Sequence, residues 1–207
     1  MMRAIVTGSE RGIGKEIARE LCRRGHFYYG FSRFNDIDVS DYECIRQNFD
    51  GLADDPPEVL INNAGIVEMG GVLELTPERW HRQFATNLDG VFYCTREYVR
   101  IAKNQGGKII NIASTAGLGP RPGRSAYAAS KAAVINFSLS MAEELRPYGI
   151  KVYCVAPGAC ATDMRKVIAP DDDFESMMKP EELARLIVDL VEGGEMLDGQ
   201  IIQARMF

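Results

Sequence analysis

Short apolar runs alternate along this chain with longer segments whose apolar residues recur every three to four positions. Ala4-Ile5-Val6 is a continuous apolar run of the kind buried on both faces, so it predicts a strand. Residues 12–24 place Ile13, Ile17 and Leu21 on one face, with Glu16, Arg19, Glu20 and Arg23 mostly on others, which predicts an amphipathic helix. Residues 27–31 predict a second strand. Asp38-Val39 would end a short third one, and Val59-Leu60-Ile61 is a fourth, ending at Asn62-Asn63. Thr76-Pro77-Glu78 has the chemistry of a helix start: a hydroxyl to cap, a proline suited to the first turn and an acid for the positive end. That helix is predicted to run to about residue 103. A fifth strand over 108–112 follows, then a long helix over about 125–146, and a sixth strand over 151–155 stopped by Pro157-Gly158. A last helix from Pro180 through Val191 and a seventh strand over 200–203 complete the pattern.

Strand-helix alternation of this kind predicts an α/β fold, a doubly wound, Rossmann-type parallel sheet of about seven strands with helices on both faces. With no repeat or low-complexity linker, residues 1–207 read as one dinucleotide-binding and catalytic domain. Ligands in such sheets bind beyond the carboxyl ends of the strands, so chemically active residues should fall just after strands.

Composition narrows the function classes. Hydrophobic residues make up 46% and charged residues 26%, as in an ordinary water-soluble domain. The net charge of −5 is concentrated in residues 171–207, where 10 acids face 3 bases. Without a basic excess, neither a nucleic acid nor an anionic membrane is an expected partner. No apolar run reaches the ~18 residues of a membrane span, and there is no signal-peptide layout, so a cytoplasmic protein is expected. The five cysteines form no Cys-x-x-Cys pair, and His26 and His81 form no metal pattern, so no disulfide framework and no metal are expected. Cys160 reads as a small apolar residue, and Trp80 as core or interface packing.

The first chemical signal is the turn Thr7-Gly8-Ser9-Glu10-Arg11-Gly12-Ile13-Gly14, between the first strand and the first helix. Glycines there permit a tight turn and let a phosphate reach the backbone, and the helix start adds free N–H donors. A glycine turn with no ligand remains the alternative. An NAD-binding turn usually has an acid about 20 residues further on. Residues 27–35 contain none; Ser32 and Arg33 stand there instead, with Arg11 in the turn. Arginine forks suit a 2′-phosphate, so NADP (NADPH) is expected in preference to NAD.

Four motifs in order now give the chain a family resemblance. They are Thr7-Gly8-x-x-x-Gly12-Ile13-Gly14; Asn62-Asn63-Ala64-Gly65; Ser114 with Tyr127-x-x-x-Lys131; and Pro157-Gly158 followed by Thr162. The spacing Asn87, Ser114 27 residues later, Tyr127 13 after that and Lys131 four further on belongs to the same pattern. The chain resembles the short-chain dehydrogenase/reductases over nearly its whole length. Tyr127 and Lys131 share one helix face. A free phenol has a pKa near ~10, and a neighbouring ammonium together with an oxidised nicotinamide would favour phenolate.

The resemblance implies hydride transfer between a nicotinamide and a carbonyl carbon, with Tyr127 giving the proton and Ser114 polarising the carbonyl oxygen. It implies that Lys131 also binds the nicotinamide ribose and that Asn87 holds a relay water. It places Gly8, Ser9, Arg11, Gly12, Ile13, Gly14, Ser32, Arg33, Asp38, Val39, Asn63, Ala64 and Gly65 along the cofactor, Asp38 and Val39 near the adenine, and Pro157, Gly158 and Thr162 at the nicotinamide end. It also implies a homodimer or homotetramer through the two long helices. Within the family, the stretch Pro157 to Met164 looks most like 3-oxoacyl-carrier-protein reductases. A carrier protein would need a basic patch, for which Lys103, Lys108, Arg121 and Arg124 are candidates. The alternatives are an alcohol dehydrogenase running oxidatively and a non-catalytic, NADP-sensing protein. The chain departs from a typical member in a compressed segment over 35–57, a short stretch after Thr162 and a missing C-terminal glycine pair.

Overall fold

The computed structural model describes residues 1–205. Its strands are β1 (Arg3–Thr7), β2 (Phe27–Phe31), β3 (Val59–Asn62), β4 (Gly107–Ile112), β5 (Ile150–Pro157) and β6 (Ile201–Ala204). They form one parallel sheet in the order β2-β1-β3-β4-β5-β6. The chain leaves β1 for one edge, returns past it to β3 and then builds outward the other way. The reversal lies between β1 and β3, and their carboxyl ends border a crevice.

Each strand is apolar on both sides because each side is covered. Ala4, Val6, Ile61, Ile110 and Val155 face α1 (Gly12–Arg23) and α7 (Pro180–Glu192), which contribute Ile17, Leu21, Leu183, Ile187 and Val191. Ile5, Leu60, Ile109 and Val152 face the other way, toward α2 (Tyr42–Asp50), α4 (Gly90–Ala102) and α5 (Ser125–Leu145), against Ile45, Phe49, Tyr98 and Ala142. These side chains are almost all completely buried. Alternation of side within each strand thus fixes its register.

Two features differ from the sequence reading. The sheet has six strands, because residues 38 and 39 do not join it. The Asp38 carboxylate accepts from both the backbone N (2.9 Å) and the hydroxyl (2.7 Å) of Ser40, which turns the chain. Val39 is buried against α4 instead, where a Cβ on Gly90 would lie 2.9 Å from its Cγ2. The helix predicted from Pro77 to about residue 103 is α3 (Pro77–Phe84) and α4, joined by a π-helical turn over Ala85–Asp89. Single π turns inside helices commonly mark functional positions, and this one carries Asn87. The short α6 (Asp163–Ile168), capped by the Thr162 hydroxyl, follows β5. Among the described residues no helix is long and apolar enough to cross a membrane.

Candidate active site

The loops after β1, β2, β3, β4 and β5 enclose one cavity of about 760 Å³. At one end lies the glycine turn. Gly8 (φ 66°) and Gly12 (φ 54°) adopt left-handed backbone that side chains resist. A Cβ on Gly14 would stand 2.1 Å from the Gly8 carbonyl oxygen, so the start of α1 can pack under the turn only without one. The turn is held from the neighbouring strand. Asn63 Nδ2 donates to the carbonyls of Thr7 (3.0 Å) and Gly8 (3.2 Å), while the Thr7 hydroxyl accepts from the backbone N–H groups of Asn63 and Ala64, both at 2.9 Å. Thr7, which the sequence reading placed at the head of the glycine-turn motif without a role of its own, is therefore the residue that locks the two loops together. Its signal was a hydroxyl at the last position of an otherwise apolar strand.

Of the expected cofactor contacts, Gly8, Arg11, Gly12, Ile13, Ser32, Arg33, Asp38, Val39, Asn63, Ala64, Gly65, Pro157, Gly158 and Thr162 line this cavity. Ser9 and Gly14 do not. The Ser9 hydroxyl is buried under β2, where a Cβ on Gly30 would lie 2.6 Å from it, and Gly14 sits beneath the turn. The Ser32 hydroxyl is also committed, donating to Asn35 Oδ1 at 2.5 Å.

The acid-free stretch after β2 is followed closely by an acid in space. Arg33 Nε donates to Asp38 Oδ2 at 2.8 Å. Burial would push the Asp38 carboxyl up, but the bonds from Ser40 and the Arg33 charge outweigh it and hold the carboxyl below its ordinary value. Asp38 is thus an occupied carboxylate, not an open ribose acceptor. Arg33 stays 64% exposed and lines the cavity, with Nε and Nη2 on Asp38 and Nη1 available for a second anion.

At the other end stand Ser114, Tyr127 and Lys131. Ser114 follows β4 with extended backbone, and its Oγ accepts from Ala116 N at 3.1 Å, leaving its proton to donate elsewhere. Gly117 lets this loop rest on α5, since a Cβ there would lie 2.6 Å from Ala132 N. Tyr127 is in the first turn of α5, and Lys131 one turn on is buried. Lys131 Nζ donates to the carbonyl of Ile112, at the end of β4, at 2.8 Å. Burial pushes the Lys131 ammonium down to about 8, with Cys154 pulling weakly the other way.

At Tyr127 burial and neighbouring charge act in opposite directions. Burial pushes its phenol above its ordinary value, opposed by the Ser114 hydroxyl and the Arg124 charge. Lys131 is turned to Ile112, so the cation most strongly felt at the phenol is Arg124 rather than Lys131.

Asn87 stands behind the cavity wall. Its Oδ1 accepts from Ile66 N (2.8 Å), and its Nδ2 donates to Ile66 O (3.0 Å) and to Ser130 Oγ (3.0 Å). Ser130 in turn donates to the Tyr127 carbonyl at 2.8 Å. Asn87 therefore ties the loop after β3 to the turn of α5 that bears Tyr127. Ser130 was not singled out in the sequence; its signal was a small polar residue on the buried face of that helix.

The four basic residues considered for a carrier protein do not form one patch. Arg121 and Arg124 line the cavity. Lys108 lies at the opposite end of β4 and donates to the carbonyls of Leu190, Val191 and Gly193, where it closes the C-terminal end of α7. Lys103 follows α4 at that same far end of the sheet. Cys160 is a buried residue of the α1/α7 core, its thiol pushed up to about 12 by burial. Trp80 stacks on Phe84 with ring centroids 4.7 Å apart.

The residues fit a dinucleotide: a glycine cradle closed to side chains at one end, a phenol beside a serine hydroxyl at the other, and one cavity joining them. Comparison with known proteins agrees. Residues 33–173 match the family described as short chain dehydrogenase. A 3-oxoacyl-acyl-carrier-protein reductase of Haemophilus influenzae is 35% identical over 188 residues, covering 81% of this chain and 78% of that protein. The crystal structure of a short-chain type dehydrogenase/reductase from Mycobacterium marinum superposes with a TM-score of 0.91 at 27% identity, covering 99% of this chain and 94% of that one. A structure from Beutenbergia cavernae, described as an NAD(P)-dependent gluconate 5-dehydrogenase with bound NADP at low occupancy, gives 0.89 at 26% identity, over 98% and 94%.

Proposed function

Because this chain belongs to the short-chain dehydrogenase family and is an oxidoreductase of that family with a nicotinamide cofactor, we propose that it reduces a ketone to an alcohol with NADPH, using Tyr127 as proton donor. The observation that carries this reading is the half-buried Tyr127 at the cavity wall beside the Ser114 hydroxyl, its phenol pushed by burial above its ordinary value. Reduction consumes a proton at the substrate oxygen, and a phenol whose proton is held by burial is the form that can supply it.

The site residues take the following roles. Gly8, Gly12, Ile13 and Arg11 cradle the pyrophosphate at the start of α1. Arg33 meets a 2′-phosphate with its unpaired edge. Asp38, Val39, Asn63, Ala64 and Gly65 line the adenosine side, and Pro157, Gly158 and Thr162 the nicotinamide side. A reduced nicotinamide, when bound, supplies the hydride. Ser114 Oγ donates to the substrate oxygen and holds the carbonyl beside the phenol. Tyr127 transfers its proton to that oxygen as negative charge develops there. Lys131, buried one turn along α5, would bind the nicotinamide ribose, and Asn87 and Ser130 hold the first turns of α5 in register with the loop after β3.

The relatives named for NADP or for a 3-oxoacyl substrate support the cofactor and the ketone class. One domain over 1–207 is part of the reading, although residues 206 and 207 lie outside the described residues. A cytoplasmic setting is supported by five cysteines that are all free. A homodimer or homotetramer is supported by Phe92, which is 45% exposed on α4 and meets Phe137 of α5 edge-on at 6.3 Å. Oxidation of an alcohol and cofactor sensing without turnover are less well supported, since burial pushes the Tyr127 phenol up and Ser114, Tyr127 and Lys131 line one cavity. A panel of ketones with NADPH tests the reading. Ketone-dependent loss of NADPH absorbance is expected for at least one member; oxidation of the matching alcohols alone, with no ketone reduced, would overturn it.

A further inference from the structure

The cavity holds a charge that the reduction chemistry does not use. Arg124 caps the start of α5, three residues before Tyr127, and its side chain lines the cavity. Its Nε is buried and has no hydrogen-bond partner. Arg121, on the same loop, gives Nη1 to Pro120 O (2.8 Å) and Nη2 to Thr115 O (3.1 Å), both backbone carbonyls. Among the described residues neither guanidinium is paired with a carboxylate. Of the other cations on the wall, Arg33 pairs with Asp38, Arg165 pairs with Asp172 through Nη2 while its Nε stays buried without a partner, and Lys131 donates to the Ile112 carbonyl. Arg11 also lacks a carboxylate, but it lies at the glycine turn, where the phosphates are expected.

A buried guanidinium edge with nothing to bond to is costly unless a ligand completes it. Arg124 and Tyr127 line the same cavity from the start of α5, three residues apart, so an anion held by Arg124 lies on the side of the cavity where the carbonyl is reduced. The pantetheine phosphate of an acyl carrier is separated from its ketone by many more bonds. A carboxylate next to the reacting ketone fits, because one free planar fork binds two carboxylate oxygens side by side.

We propose that the substrate of this site is a small free oxo acid, with its carboxylate held by Arg124 and steadied by Arg121, rather than a neutral ketone or an acyl thioester. This rests on the carbonyl-reductase reading above and adds the substrate class to it.

The test compares acetoacetate, its methyl ester, a 3-oxoacyl thioester and dihydroxyacetone phosphate, with NADPH, in the intact chain and in Arg124→Gln. The acid should be preferred over its ester at least tenfold in kcat/KM. Arg124→Gln removes a charge that also acts on the Tyr127 phenol, so both substrates should lose some rate; the acid's kcat/KM should fall at least tenfold more than the ester's. Calorimetric titration of the NADPH-bound protein with malonate is the second readout; binding should be present in the native chain and lost in Arg124→Gln. Equal or better use of the ester, the thioester or the phosphate by the native chain would overturn the proposal. So would equal losses on acid and ester in the variant, or no binding of malonate by the native chain. A chain that reduces neutral ketones well keeps the reductase reading and loses this one. A chain that reduces no carbonyl at all but still binds malonate through Arg124 loses the reductase reading alone.

Discussion

Lys131 Nζ donates to the carbonyl oxygen of Ile112 at 2.8 Å, which joins the catalytic helix α5 to the end of strand β4. The ammonium is buried, and burial lowers it from 10.5 to about 8. Between those values the unfolded chain binds a proton that the folded chain does not. Stability therefore rises with pH across that window, by up to about 3 kcal/mol relative to a Lys131→Met chain. Urea unfolding of both chains below, within and above the window reads the difference. A gap between the two chains that stays constant across it would show that Lys131 is not buried as a titrating ammonium.

Asn87 satisfies both backbone groups of Ile66 and the Ser130 hydroxyl. Asn87→Leu would leave these buried groups without partners, at about 2–4 kcal/mol of unfolding free energy. The urea midpoint should fall, and kcat/KM should fall at least tenfold as the α5 turn loses its tie to the loop after β3. An unchanged midpoint would contradict this positioning role.

Gly14→Ala places a methyl 2.1 Å from the Gly8 carbonyl oxygen, a backbone atom that cannot turn away. The glycine turn must shift, so NADPH affinity should drop at least tenfold by fluorescence titration, with a lower Tm. A variant that binds NADPH like the native chain would show that the turn does not hold the pyrophosphate.

Much of this was legible in the sequence, for identifiable reasons. The strands from β1 to β5 are apolar runs bounded by glycine, proline or asparagine, and such runs have few other fates. Asp38-Val39 misled because a valine after an acid reads as a strand end, whereas the Asp38–Ser40 bonds that turn the chain there are side-chain contacts without a periodic signature. The nearness of Ser114, Tyr127 and Lys131 at one cavity, with Asn87 behind it, was legible because they sit at characteristic distances along the chain. The Arg33–Asp38 pair and the turning of Lys131 toward Ile112 were not, since both depend on which way a long side chain runs in space. Lys108 failed as a cleft residue for the same reason, because sequence proximity to a strand does not say which end of the sheet is meant.

Arg33 keeps one guanidinium edge beyond its pairing with Asp38. Arg33→Ala should weaken NADPH binding about tenfold and leave NADH binding within twofold, as expected for one lost charge-assisted bond. Native protein that binds NADH more tightly than NADPH would contradict the cofactor assignment.

The central claim is that the Tyr127 phenol carries the proton delivered to the substrate oxygen. Tyr127→Phe removes one oxygen atom and keeps the ring that packs at the start of α5. The direct measurement is kcat/KM for ketone reduction by this variant alongside its NADPH affinity. The account predicts a loss of about 10²- to 10⁴-fold in kcat/KM or more, with NADPH binding within about threefold of the native chain. Activity within a few fold of the native chain would contradict it.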